Sequence, residues 1–171
     1  INALSDLYHP CQILADLLTI KEKKKRLEGL KLAYIGDGNN VCNSLLIGCT
    51  KIGLNISIAS PERYTPKKEI VENAKNNAEE SGSEFEIVNT PQEAVRNADI
   101  IYTDVFVSMG DEKESEERMK IFLPDFQVNA KLLENASPDA IVMHCLPAHR
   151  GQEITDDIIE GKQSVVWDQA E

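Results

Sequence analysis

Short apolar runs alternate along the chain with longer stretches in which apolar residues recur every three or four positions. The short runs have the length of buried strands, and the longer spacing places apolar side chains on one face of a helix. The predicted strands cover residues 30–35, 56–59, 85–88, 100–103 and 140–143, with a further short strand at 164–167. The predicted helices cover residues 5–25, 40–52, 66–81, 91–97, 129–135 and 155–160.

The alternation of strands and helices indicates an α/β fold. Strands that are joined through helices pair in parallel, and their crossovers are right-handed. We therefore expect a Rossmann-like open parallel sheet with helices on both faces. The 171 residues are enough for one domain with a substantial core, so a single domain is predicted.

The composition limits the classes of binding partner and the cellular compartment that can be expected for this chain. The formal net charge of -11 disfavours nucleic acid and anionic membranes as partners. No apolar run approaches the ~20 residues that cross a bilayer, and the start at Ile1 has neither an initiator Met nor the basic segment of a signal peptide. The four cysteines form no CxxC pair. Free thiols without a disulfide framework suit the cytosol, so a cytoplasmic protein is expected.

The most informative polar residues follow the fifth predicted strand, where His144 and Cys145 are followed by His149 and Arg150. The carboxyl edge of an open α/β sheet is where small molecules bind, so these side chains are candidates for a site. Cys145 is interpreted as a nucleophile, a substrate contact or a core thiol. A zinc site is disfavoured because two histidines around one cysteine do not match structural zinc spacing. A cysteine–histidine hydrolase stays open, since the sequence does not show whether either imidazole reaches the thiol.

A second candidate is the loop after the first strand, where Gly36 and Gly38 permit a tight turn before Asn39 and Asn40. The N-terminus of the next helix, with its free N–H groups and its dipole, favours an anion. A carboxylate or phosphate site and a simple helix cap by Asn39 are both compatible with this pattern. A dinucleotide site is disfavoured because the third glycine of the fingerprint is missing and the second strand does not end in an acidic residue.

A third candidate is the loop after the fourth predicted strand. Asp104 stands first in this loop and can receive an ammonium group, and Ser108, Met109 and Gly110 follow. The loop opens an acidic segment that reaches Phe122, which is long for a compact domain, and long loops are often lids. The alternative is a solvated loop in which Met109 only packs.

A fourth motif near the start, His9-Pro10-Cys11-Gln12, is weak alone, since a His-Pro pair is typical of a turn or a helix start. Together the four motifs, in this order, resemble the ornithine carbamoyltransferase family over essentially the whole chain. His-Pro-x-Gln is shared by transcarbamoylases, whereas Ser-Met-Gly and His-Cys-Leu-Pro are specific to those that use ornithine. The resemblance implies transfer of the carbamoyl group from carbamoyl phosphate to the δ-amine of L-ornithine, giving L-citrulline and phosphate, as in arginine biosynthesis. It implies neither a metal nor a cofactor.

The resemblance also implies which residues bind ornithine. Asn40 matches a contact to the α-carboxylate of ornithine, and Asp104 matches the group that pairs with its α-ammonium. Ser108 and Met109 complete that clamp.

For carbamoyl phosphate, the resemblance implies a second set of residues. His9 and Gln12 match positions that hold the carbamoyl end of this substrate. Cys145 and the backbone of Leu146 match contacts around the reacting amine and the carbamoyl group. Cys145 is the catalytic residue in this interpretation, as a thiol or thiolate that contacts substrate and not as a covalent nucleophile.

The sequence departs from the family pattern in ways that bear on activity. The family's Ser-Thr-Arg-Thr phosphate loop, which belongs to a preceding carbamoyl-phosphate-binding domain, is not found in these residues, and neither are a family arginine just beyond Glu171 and the final helix. Cys11 replaces a usual threonine and Phe106 a usual tryptophan. We expect residues 1–171 to be the ornithine-binding domain, inactive alone, of an enzyme that is a homotrimer or a multiple of trimers. A carbamoyltransferase for a related amine and a non-catalytic amino-acid-binding module are the alternatives.

Overall fold

Five parallel strands form one sheet in the computed structural model, which describes residues 2–107 and 114–171. The strands are β1 (Lys31–Ile35), β2 (Asn55–Ala59), β3 (Phe85–Val88), β4 (Ile100–Thr103) and β5 (Ile141–His144). Their order across the sheet is β3-β2-β1-β4-β5, and every neighbouring pair is parallel. The predicted α/β class and the open parallel sheet are confirmed.

Helices connect the strands and cover the sheet. Within the described residues they are α1 (Pro10–Lys24), α2 (Asn40–Lys51), α3 (Lys68–Ser81), α4 (Pro91–Val95), α5 (Ser115–Phe122), α6 (Ala130–Leu133), α7 (Asp156–Ile159) and α8 (Val166–Ala170), with a 3-10 turn at Glu62–Tyr64. Across these ranges, no helix combines the length and the apolar character that a membrane-spanning helix needs.

Both faces of the sheet are buried because alternate residues of each strand point to opposite sides. In β1, Leu32 and Tyr34 lie in a core with residues of α1, α2 and α3. Ala33 and Ile35 lie in a second core with residues of α4 to α8. All four side chains are fully buried. Burial on both faces makes such strands read as continuous apolar runs, which is why the sequence pattern located them.

The predicted sixth strand is wrong. Ser164 forms only an isolated bridge to Val142, and helix α8 begins at Val166. Val165 and Val166 pack into the two different cores, so the apolar pattern that suggested a strand arises at the start of a helix. The first helix is also shorter than predicted. It begins at Pro10, a residue whose fixed φ and missing N–H suit the first helical position.

The segment after β4 buries more than its acidic composition indicated. Residues 108–113 lie outside the described residues, so the expected lid stays a prediction there. In α5, however, Phe122 is fully buried and stacks on Phe106, with ring centroids 4.7 Å apart. The ring of Tyr64 lies 5.1 Å from that of Phe122. The acidic residues of α5 face solvent while its apolar residues pack, so this part of the segment is anchored to the core.

The strand order creates a crevice at the carboxyl edge of the sheet, between β1 and β4. The chain continues from β1 to β2 on one side, and it later returns to place β4 on the other side. The loops that follow β1 and β4 therefore diverge, and ligands of open α/β sheets bind at such a switch point.

Truncation of Phe122 should destabilise the domain. We expect Phe122→Ala to lower the free energy of unfolding by roughly 3–5 kcal/mol, because a fully buried aromatic side chain leaves a cavity among its neighbours. Lys120→Ala on the exposed side of the same helix should change it by no more than about 0.5 kcal/mol. Denaturant unfolding followed by circular dichroism measures both. Equal, small effects would mean that α5 is not anchored through Phe122.

Candidate functional site

The loop between β1 and α2 lies very close to the 3-10 turn, and this closeness explains Gly38. A Cβ atom at this position would lie 2.5 Å from the backbone nitrogen of Pro66 and 2.6 Å from the carbonyl oxygen of Tyr64. The Gly38 N–H donates to that same carbonyl at 2.6 Å. A residue without a side chain permits this approach, so the loop is held against the turn.

Asn39 closes the N-terminus of α2. Its Oδ1 accepts hydrogen bonds from the N–H groups of Val41 and Cys42, each at 3.0 Å. The interpretation of Asn39 as a helix cap is confirmed, and two N–H groups that were expected to face an anion are already satisfied. The other end of the amide has a further partner, because Nδ2 donates to Oδ2 of Asp104 at 2.8 Å.

The carboxylate of Asp104 joins the loops that follow three strands. It lies directly after β4 and is only 6% exposed. Besides the amide of Asn39 after β1, it accepts from the Cys145 thiol after β5, with Sγ 3.0 Å from Oδ1. The N–H of Val105 also donates to Oδ1, at 2.7 Å. Three loops that the sequence identified separately therefore meet at one carboxylate.

Cys145 is a neutral thiol in this arrangement. Burial raises its pKa well above the ordinary value, and the Asp104 carboxylate raises it further through its charge and its hydrogen bond. Since the thiolate is the nucleophilic form of cysteine, a thiol held protonated is a weak nucleophile. The geometry favours a contact role for Cys145 over a covalent one.

His144 organises the turn after β5 and is not oriented as a base for the thiol. Its Nδ1 accepts from the N–H of Leu146 at 2.9 Å, and its Nε2 lies 3.0 Å from Oε1 of Glu153. The hydrogen bond from the N–H of Leu146 requires an unprotonated Nδ1. Nε2 therefore carries the ring proton and donates a hydrogen bond to Glu153. Both nitrogens are engaged, which disfavours a hydrolase that pairs His144 with Cys145. The N–H of Leu146 is likewise used, so its carbonyl oxygen is the backbone atom left for a substrate.

Three potential metal ligands lie close together at this point. Asp104, His144 and Cys145 each offer one ligand atom, and these atoms lie within 4.8 Å of one another. Coordination through Nδ1 of His144 would break its hydrogen bond with Leu146, and coordination through the thiol would break its bond with Asp104. Because these potential ligand atoms already take part in a hydrogen-bond network, the arrangement disfavours metal binding.

A cavity of about 380 Å³ adjoins the thiol, and its lining includes His9, Gln12, His144, Cys145 and Gln169. His9 precedes α1, and Gln12 lies in the first turn of that helix. The Nδ1 atom of His9 is buried and has no hydrogen-bond partner among the residues that the structure describes. The cavity brings together His9, Gln12 and Cys145, which the sequence analysis assigned to one substrate.

Asn40, the residue expected to meet a carboxylate, begins α2 at the surface. Its Nδ2 donates to the carbonyl of Ser5 at 2.9 Å, and its Oδ1 accepts from the N–H of Val41 at 2.9 Å. The amide lies at the helix N-terminus as expected but is occupied by protein groups. Ser108 and Met109 lie outside the described residues, so their roles stay predictions.

Comparison with known proteins agrees with the topology and with the motifs. The sequence model of the family described as "Aspartate/ornithine carbamoyltransferase, Asp/Orn binding domain" matches residues 28–171. The chain belongs to the aspartate/ornithine carbamoyltransferase family. The match covers the sheet, the helices after α1 and the loops that carry Asp104 and Cys145.

Several relatives are similar to this domain along its whole length. The chain is 58% identical to the ornithine carbamoyltransferase of Thermococcus kodakarensis over 171 residues, which is 100% of this chain and 54% of that relative. It is 57% identical to the Bacillus subtilis enzyme, covering 53% of it. The solved structure of the Pyrococcus furiosus ornithine carbamoyltransferase superposes with a TM-score of 0.95 at 56% identity, covering 99% of this chain and 54% of that one. The chain thus spans about half the length of the curated relatives that it matches.

The domain also contains a buried carboxylate that the sequence analysis did not single out. Asp16 on α1 is fully buried. Its Oδ1 accepts from Nε2 of Gln12 at 2.9 Å and from Nε2 of Gln169 at 2.8 Å, and its Oδ2 accepts from the hydroxyl of Tyr102 at 3.0 Å. Burial raises the pKa of Asp16 to about 6, although the three hydrogen bonds oppose that shift.

The network continues from Asp16 to the strand that carries the thiol. Oε1 of Gln169 accepts from the N–H of His144 at 2.9 Å, so α8 is tied to the end of β5. One feature of the sequence could have indicated this network. Asp16 stands among apolar residues on the buried face of a helix, where an aspartate is rare unless it has partners. Neither Gln169 nor Tyr102 had any comparable signal.

Arg118 is a further supporting residue that no sequence pattern indicated. It is 4% exposed, and its Nε donates to the carbonyl of Phe106 at 2.7 Å. Its guanidinium pairs with Asp37 and lies 4.6 Å from the centre of the Tyr64 ring. These contacts join α5 to the loop between β1 and α2, which borders the crevice.

The charge of Asp104 should control the reactivity of Cys145. We expect Asp104→Asn to speed alkylation of Cys145 by iodoacetamide, because removing the carboxylate lowers the pKa of the thiol. Mass spectrometry of the labelled peptides over time gives the rate. Cys11, which is exposed, should react at the same rate in both proteins and serves as the internal control. An unchanged rate at Cys145 would mean that burial alone governs this thiol.

Proposed function

We propose that residues 1–171 form the ornithine-binding domain of an ornithine carbamoyltransferase. The complete enzyme transfers the carbamoyl group of carbamoyl phosphate to the δ-amine of L-ornithine and releases L-citrulline and phosphate, a step of arginine biosynthesis. One observation supports this most directly, which is the Asp104 carboxylate shared by Asn39 and the Cys145 thiol at the edge of a cavity lined by His9. The carbamoyl-phosphate-binding domain and the final helix belong to other parts of the enzyme, which assembles as a homotrimer or a multiple of trimers.

In this proposal Asp104 receives the α-ammonium of ornithine. The carboxylate is nearly buried and already accepts hydrogen bonds from its neighbours, so an ammonium that joins them makes a charge-assisted bond in a poorly solvated place. The α-carboxylate lies at the N-terminus of α2, where the helix dipole favours negative charge. There Asn40 exchanges the Ser5 carbonyl for the substrate carboxylate. Ser108 and Met109 complete the clamp around the amino-acid end.

Carbamoyl phosphate occupies the adjoining cavity. The buried Nδ1 of His9 is available to a polar group of this substrate, and Gln12 faces its carbamoyl end. The carbonyl of Leu146 accepts from the carbamoyl nitrogen or from the incoming amine. Cys145 contacts the reacting groups from the border between the two substrates.

The reaction is an acyl transfer whose atoms balance without a redox partner. The lone pair of the neutral δ-amine attacks the carbonyl carbon, and the electron pair of the C=O bond moves onto oxygen. That pair then returns, the bond from carbon to the bridging oxygen breaks, and the departing phosphate takes up the proton that the nitrogen releases. The domain must therefore orient the amine, exclude water and stabilise the oxyanion. We assign no metal and no organic cofactor to these steps.

The function and the role of Asp104 are tested together in the complete enzyme, by following citrulline formation from ornithine and carbamoyl phosphate. We expect turnover by the wild type and none by residues 1–171 alone. Asp104→Asn should weaken ornithine binding by roughly 1.5–3 kcal/mol, the value of a lost charge-assisted hydrogen bond. The KM for carbamoyl phosphate should stay the same.

Asp99→Asn is the matched control for that substitution. Asp99 precedes the same strand at the opposite edge of the sheet, where its carboxylate accepts from the N–H of Lys31 at 2.9 Å. Both KM values should be unaffected in this variant. Equal losses for both substrates in Asp104→Asn would assign Asp104 to folding. Ornithine binding without any citrulline from the complete protein would favour a non-catalytic amino-acid-binding module.

Replacement of the thiol distinguishes a contact from a nucleophile. Cys145→Ser should keep a measurable rate and mainly raise the ornithine KM, with kcat/KM falling by about one to two powers of ten for one lost contact. Mass spectrometry of the complete enzyme mixed with carbamoyl phosphate and no ornithine should give the unmodified mass. The same sample with inorganic phosphate is the blank. A carbamoyl adduct on Cys145 would overturn the proposed mechanism.

A further inference from the structure

We propose that Asp16 is a positioning residue that holds the side-chain amide of Gln12 in one orientation, with its carbonyl oxygen turned toward the cavity. This inference rests on the proposed function, because it concerns how the cavity recognises the carbamoyl group of its substrate. Its basis is a set of hydrogen bonds that does not involve substrate and that no part of the proposed reaction uses.

The orientation follows from what a carboxylate can accept. Nε2 of Gln12 lies 2.9 Å from Oδ1 of Asp16. An ionised carboxylate only accepts hydrogen bonds, so the NH₂ end of the Gln12 amide must face it, and the oxygen must face away. Gln12 also lines the cavity beside Cys145. The atom that Gln12 offers to the cavity is therefore an acceptor.

Asp16 is itself held from two other elements. Gln169 of α8 donates to the same oxygen at 2.8 Å, and Tyr102 of β4 donates to the second oxygen at 3.0 Å. With three donors on two oxygens and no exposure to solvent, the carboxylate has no freedom to turn. The orientation of Gln12 is thereby set by the packing of α1 against β4 and α8.

Protonation of Asp16 does not remove this control. Burial raises its pKa to about 6, so both forms occur near neutral pH. A proton on Oδ2 can be donated to the hydroxyl oxygen of Tyr102, which leaves Oδ1 as an acceptor for Gln12. The requirement is thus an oxygen facing Gln12, and the charge itself is secondary.

An acceptor in this position selects for a particular substrate group. Carbamoyl phosphate ends in an NH₂ group, which donates a hydrogen bond, whereas acetyl phosphate has a methyl group in the same place. The oxygen of Gln12 accepts a hydrogen bond from the NH₂ group of carbamoyl phosphate. The methyl group of acetyl phosphate offers it no hydrogen bond. A reversed amide would present NH₂ to NH₂ and lose that preference. Asp16 therefore contributes to discrimination between carbamoyl phosphate and other acyl phosphates.

The test uses the complete enzyme, and citrulline formation by the wild type comes first, because its absence would refute the proposed function and not this inference. Asp16→Leu removes the acceptor and keeps the branched skeleton of the side chain. We expect the KM for carbamoyl phosphate to rise roughly three- to tenfold, as for one lost hydrogen bond. The inhibition constant of acetyl phosphate should stay the same. Equal weakening of both acyl phosphates would overturn the proposal, since it would indicate a general distortion.

A double-mutant cycle tests whether Asp16 acts through Gln12. Gln12→Leu should raise the KM for carbamoyl phosphate at least as much as Asp16→Leu does. The double variant should be no worse than Gln12→Leu alone, because the second change then removes nothing further. Additive losses would overturn the proposal.

Two more variants keep the test decisive if Asp16→Leu does not fold. Asp16→Asn retains an oxygen for Gln12 and should recover most of the affinity for carbamoyl phosphate. A loss as large as that of Gln12→Leu would mean that the charge is required, contrary to the proposal. Thr19→Val removes another buried polar group from α1, the hydroxyl bonded to the Ala15 carbonyl at 3.0 Å, and should leave the KM unchanged. A rise in this control would assign the effects to helix packing and overturn the proposal.

Discussion

The hydrogen bonds accepted by one buried carboxylate, that of Asp104, determine how the loops at the carboxyl edge lie relative to one another. The sheet brings the ends of β1, β4 and β5 side by side, but its backbone ladder stops where the strands stop. Beyond that point the amide of Asn39 and the thiol of Cys145 both donate to Asp104. A buried carboxylate without donors is costly, so each loop is held in place by the requirement to satisfy it. The N-terminus of α2, the crevice and the thiol are consequently coupled through a single side chain.

Much of the fold was predictable because a parallel sheet that is covered on both faces produces a simple sequence pattern. Each strand is a short apolar run, and the intervening amphipathic stretches give the crossovers. The failures have local causes. Val165 and Val166 pack into opposite cores from the start of a helix, which imitates the pattern of a strand. Between residues 111 and 122 the acidic residues outnumber the apolar ones, so composition hid the burial of Phe122.

The candidate site was predictable only where its residues follow strands or begin helices. Cys145 and Asp104 were identified because each lies just beyond an apolar run, and Gln12 was identified through its motif. The residues that support them were not, because their partners are remote in sequence. Asp16 and Gln169 are 153 positions apart, and no spacing rule relates them. The same holds for Arg118 and Asp37, which are 81 positions apart. Such contacts are consequences of the assembled tertiary structure and not of any local pattern.

Because Asp16 is buried, ionisation of its carboxyl group lowers the stability of the folded domain. Its pKa is about 6 in the folded chain against an ordinary value of 3.8, so the unfolded chain releases this proton more readily. Below both values the carboxyl is neutral in either state, and burial imposes no charge penalty. As pH rises from about 3.8 to about 6 the penalty grows, and it reaches about 3 kcal/mol at neutral pH. With respect to this group alone, the domain is more stable in mild acid than at neutral pH, where its ionised carboxylate remains enclosed beneath the cavity.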